Sequence, residues 1–79
     1  MKVRLSKLEK QESDLNDKIV KLSKFMHSSD FTKLDWEEIH LIQMEHGVLI
    51  THRNIIMLRV KLLRNAIEKQ EERKQQLVG

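Results

Sequence analysis

"IHLIQMEHGVLITHRNIIMLRVKLLRNAI" (residues 39–67) is apolar in two registers at once. At heptad spacing one seam collects Leu41, Met44, Val48, Thr51, Ile55, Leu58 and Leu62. A second collects Ile39, Ile42, Leu49, Ile56, Val60, Leu63 and Ile67, with His46 and Arg53 in step among them. At about 100° per residue the two seam centres fall near opposite sides of a single helix. A helix that is apolar on two sides needs two neighbours.

The chain itself offers one. "VRLSKLEKQESDLNDKIVKLSKFM" (residues 3–26) places Leu5, Glu12, Ile19 and Met26 at one heptad position and Leu8, Leu15 and Leu22 at the other. That is one narrow seam with a single polar member, Glu12. Asp14 with Lys18 and Asp17 with Lys21 are acid-before-base pairs at i,i+4, suited to the solvent side. The spacing predicts a helix over about residues 3–27.

"HSSDFTKLDWEE" (residues 27–38) interrupts the pattern. Asp35 and Glu38 have capping-box spacing, and Leu34 and Ile39 flank the cap as a hydrophobic staple. Glu37 adds negative charge at the positive end of the helix dipole. The reading is a loop over about 28–34, with Phe31 folded inward, and a long helix over about 36–76. The first helix would measure roughly 37 Å and the second roughly 60 Å. The last turns, "AIEKQEERKQQLVG", are therefore left to fray or to pack on another chain.

Composition agrees. The 79 residues hold no proline, two glycines and no cysteine, which removes disulfides and thiolate metal sites. One domain spanning 1–79 is the most this length allows. The expected architecture is all-α, an antiparallel helical hairpin with a short first and a long second helix. Its uncovered apolar face is expected to assemble into a coiled-coil-like homo-oligomeric bundle. The second seam, Ile39 to Ile67, is assigned to that oligomer interface. There, His46 and Arg53 either fix register, as buried polar residues do in coiled coils, or line a pocket between subunits. Gly47, costly inside a helix, suggests a kink or a close backbone approach. His52 and Arg59 share a stripe with Glu45 and are expected to form ion pairs at the bundle edge.

Most chemistry is excluded by spacing. His40, His46 and His52 are six apart and spread around a helix, unlike the i,i+4 pair of a zinc site. Glycine-rich phosphate loops and nucleophile elbows are missing from the sequence, so neither an enzyme nor a cofactor is expected. The net charge is +3, with eight Lys/Arg against five Asp/Glu in residues 1–33 and seven against seven in residues 34–79. The cations of the first helix are dispersed among acids, so duplex nucleic acid is not expected as a partner. The apolar runs are too short for a membrane span, and the charged N-terminus "MKVRLSKLEK" lacks a signal-peptide core. The chain is expected in the cytoplasm.

Glu9 and Glu12, Asp14–Leu15, Lys18–Ile19, Lys21–Leu22, Phe25, Ser28, Phe31, Leu34 and Ile55 to Val60 form a frame over about residues 4–63. In it the chain resembles a family of small, largely uncharacterised phage helical-hairpin proteins related to one from crAss-like phage. It departs from that pattern at Val48 to His52, where the family commonly carries Met and Tyr. The resemblance supplies no catalytic or ligand residue to carry over. It implies a viral accessory protein in a bacterial host cytoplasm, and small helical phage proteins often counter host defences. Two partners besides self-association are then expected: a cyclic nucleotide immune messenger, sequestered without turnover, or a host defence protein met by the exposed helix face. A nucleotide would need cations and flat groups. The candidates are Arg53, Arg59, Lys24 and His46 for phosphate, and Phe25 and Trp36 for stacking. Trp36, in the first helical turn, is otherwise expected to pack on the loop before it.

Overall fold

A computed structural model describes the backbone of residues 2–78 and the side chains of residues 2–71. The fold is all-α: α1 spans Lys2–Met26, a single turn α2 spans Ser29–Thr32, and α3 spans Trp36–Val78. Helix boundaries agree with the sequence reading to within two residues at each end. The backbone stays helical to Val78, where fraying was expected. How the side chains beyond residue 71 pack lies outside the described residues.

No glycine ends α1, so the orphan carbonyls of its last turn are met by the residues that follow. The amide of His27 reaches the carbonyls of Ser23 and Lys24, both at 3.2 Å, and its ring Nδ1 donates to Ser23 at 2.7 Å. Ser28 closes on the carbonyl of Phe25 through its amide (3.0 Å) and its hydroxyl (2.6 Å). Lys24 supplies positive charge at the same helix end. The chain then turns through α2, where Phe31 is buried and meets Phe25 edge-on, ring centroids 6.0 Å apart at 76°. The inward Phe31 was legible beforehand. At the start of α3 the Ile39 amide donates to the Asp35 carbonyl at 3.0 Å. Among the described residues no side-chain hydrogen bond completes the Asp35–Glu38 capping box.

Helices α1 and α3 run in opposite directions along their contact. Asn16 meets Arg53, and Glu9, one helical stretch earlier, meets Arg64 further along. Between them Leu8 and Leu15 of α1 pack with Ile56 and Val60 of α3, supported by Leu5, Leu49 and Leu63. Ile56 is the deepest, only 1% exposed.

This core corrects the assignment of the seams. Ile39, Ile42, Leu49, Ile56, Val60, Leu63 and Ile67 were expected to receive a second chain. They are instead buried or half-buried, and the core members among them pack against α1 of the same chain. The reason is polar matching. That seam carries Arg53, and α1 brings Asn16 to it; turned to the other seam, Arg53 would lose that partner and Asn16 would face aliphatic groups.

Candidate functional site

Choosing one seam leaves the other bare. Leu41, Met44, Val48, Ile55, Leu58 and Leu62 are each between 51% and 69% exposed, and Thr51 lies exposed among them. They form one line on a continuous helix, roughly 32 Å long at 1.5 Å per residue. Among the described residues nothing covers it. Scattered exposed aliphatic residues are ordinary, but a contiguous line of this length is not.

Gly47 sits at the edge of this line. A Cβ built there would meet nothing within 4 Å, and its φ is not positive. Among the described residues no other part of the chain comes close to Gly47, so the expected close backbone approach is not seen within the chain. The missing side chain opens a shallow apolar hollow of about 590 Å³ between Met44, Val48, Thr51, His52 and Ile55. Thr51 turns its hydroxyl back to the Gly47 carbonyl at 3.0 Å. Its one polar group is thus satisfied inside the helix.

The six residues expected to hold a nucleotide are not brought together. Trp36 is 74% exposed, so it does not pack on its loop, and it stands roughly 35 Å along the same helix from Arg59. Lys24 and Phe25 lie at the loop end. Phe25 shares a hollow of about 490 Å³ with Lys18, Lys21, Leu22, Glu45 and Leu49. Arg53 and His46 belong to the covered seam. Arg53 donates from Nη1 to Asn16 Oδ1 and from Nη2 to Asn54 Oδ1, both at 3.2 Å. The Nε of Arg53 and the Nε2 of His46 are buried without a hydrogen-bond partner. Arg53 therefore makes its hydrogen bonds within one chain, to α1 and to its own helix, and not between subunits.

Arg59 alone gains a cationic neighbour that the sequence did not single out. It lines a hollow of about 350 Å³ with Arg4 of α1, over a floor of Leu8, Leu62, Leu63 and Ala66. The i,i+4 spacing on α1 could not reveal Arg4 as its companion, because their meeting depends on which seam α1 covers. Glu45, His52 and Arg59 make no ion pair among the described residues. The ion pairs seen are Arg64–Glu9 at 3.4 Å and Lys33–Asp30 at 3.9 Å, both exposed. The described residues hold no cluster suited to a metal ion and no helix long and apolar enough to cross a membrane. No protein-family model, curated protein or solved structure matches the chain.

Proposed function

We propose that this chain is a non-catalytic binding protein, a helical hairpin whose working surface is the bare seam of α3. The supporting observation is the unbroken line from Leu41 to Leu62, exposed along its length while the opposite seam is spent on α1. An apolar stripe of this width fits a helix laid along it, with side chains of the visitor entering between those of the host. The occupant is therefore protein. The likeness to small phage proteins supplies the setting, in which the partner class is a host defence protein or the protein's own kind.

Two methionines test this directly. Met44 in the seam is 54% exposed, and Met57 is 46% exposed about 140° around the same helix. In the free helix pair peroxide oxidises both at similar rates. With the seam covered, Met44 is protected and Met57 is not. Equal oxidation inside expressing cells overturns the proposal.

A second reading, sequestration of a nucleotide messenger, is favoured by one observation. Arg4 and Arg59 face a common hollow with an apolar floor and no carboxylate among its lining residues. A thermal-shift screen with cyclic nucleotides tests it, since a ligand at 100 times its dissociation constant adds about 2.7 kcal/mol. Absence of any shift across such a panel removes it.

A further inference from the structure

We infer that the occupant of the bare seam is a second copy of this chain, its α3 running antiparallel about a two-fold axis level with Leu49 and Ile50. This rests on the seam being a binding surface and names its partner.

Three observations converge on that pairing. The first is area. At roughly 100 Å² of exposed apolar surface per large side chain, the six large residues of the seam in two copies would bury about 1,200 Å², the lower end of the size of a stable specific interface. The second is Gly47. Inside a helix glycine is costly, and nothing in its own chain occupies the space a side chain would take. In an antiparallel pairing that sets Leu41 against Leu58 of the second copy and Val48 against Thr51, Gly47 lies beside the innermost layer, across from Asn54 of the second copy. The open space at Gly47 there leaves room for the second helix to come close.

The third is charge. Glu45 and Arg59 flank the seam on the same edge, too far apart along one rigid helix to pair with each other. In the antiparallel register both find partners on the second copy: Arg59 comes nearest Glu38 and Glu45 nearest His52, giving two Glu38–Arg59 pairs related by the axis. A parallel pairing would set Glu45 against His40 and Arg59 against Asn54, with no opposite charges matched. The antiparallel pairing also brings a carboxylate toward Arg4 and Arg59, which share a hollow lined by no acid.

The chain has no cysteine, so introduced ones report cleanly. Leu41→Cys and Leu58→Cys proteins are mixed and mildly oxidised. The expected product is the mixed disulfide, with little self-linked Leu41→Cys, because the two copies of residue 41 lie roughly 26 Å apart in this register. Sedimentation equilibrium of the unmodified protein is expected to give twice the chain mass. Arg59→Glu should weaken the dimer at least tenfold, and adding Glu38→Arg should restore it. Self-linking of Leu41→Cys overturns the antiparallel register. A single-chain mass at high micromolar concentration, with Met44 oxidised as fast as Met57, overturns the second copy as occupant. If Met44 is nonetheless protected inside cells, the seam remains a binding surface and its partner is another protein.

Discussion

Arg53 of α3 donates to Asn16 of α1 at 3.2 Å, across 37 residues of sequence. With the exposed Glu9–Arg64 pair further along, this half-buried bond is a polar contact across the aliphatic packing, and it opposes sliding of α1 along α3. One turn of slippage would leave a half-buried guanidinium against leucine. A double-mutant cycle of Arg53→Met and Asn16→Ala, read by chemical denaturation, should give a coupling of about 1 kcal/mol. The mass of the assembly should not change, since the bond lies within one chain.

Ile56→Ala should cost about 3 kcal/mol, because the side chain is enclosed by Leu8, Leu15 and Val60 and the site cannot collapse onto the gap. For a pair of helices this small, that is a large share of the total, and loss of cooperative unfolding by circular dichroism is the expected readout. The neighbouring Ile55→Ala, in the bare seam, should cost the dilute chain under about 1 kcal/mol.

Phe31→Ala should cost about 3 kcal/mol and Trp36→Ala close to nothing, by thermal or urea unfolding. Phe31 is 8% exposed and closes on Phe25, whereas Trp36 stands free. Sequence alone treats the two aromatics much alike. The difference arises because Phe31 lies in a turn of helix within the loop, and Trp36 begins a helix whose first turn points it outward.

Gly47→Ala separates the two levels of structure. It should raise the stability of the dilute chain by about 1 kcal/mol, since a Cβ there meets open space. Concentrated protein should gain less, as the added methyl sits at the margin of the helix contact. Unfolding midpoints at two concentrations a hundredfold apart check this.

Glu9→Gln should change stability by less than about 1 kcal/mol, because its pairing with Arg64 is largely exposed to water. Urea unfolding of the variant measures it.

Element type and extent were legible, because they rest on local signals: heptad spacing in α1, and Asp35, Glu37 and Glu38 at the start of α3. The identity of the paired seam was not. Leu41 to Leu62 and Ile39 to Ile67 are similarly apolar, so burial alone could not rank them. The deciding signal was present in Asn16, a polar residue on the flank of the α1 seam, which needed to be matched with Arg53. Reading apolar periodicity without pairing its interruptions assigned the two faces the wrong way round. The scatter of the ligand candidates has a related reason. Composition can name cations and aromatics, but only the seam assignment says that Arg59 meets Arg4 while Trp36 meets nothing.

The long axis of α3 also governs how the molecule behaves in a column. At 66 by 15 Å, with a radius of gyration of 19.0 Å, the chain is far more drawn out than a globule of its length, for which about 12 Å is typical. Friction on such a rod makes one chain elute as though it were heavier. Stacking two side by side thickens it more than it lengthens it, so elution volume shifts less than mass, and scattered light or equilibrium sedimentation is the proper scale for weighing it.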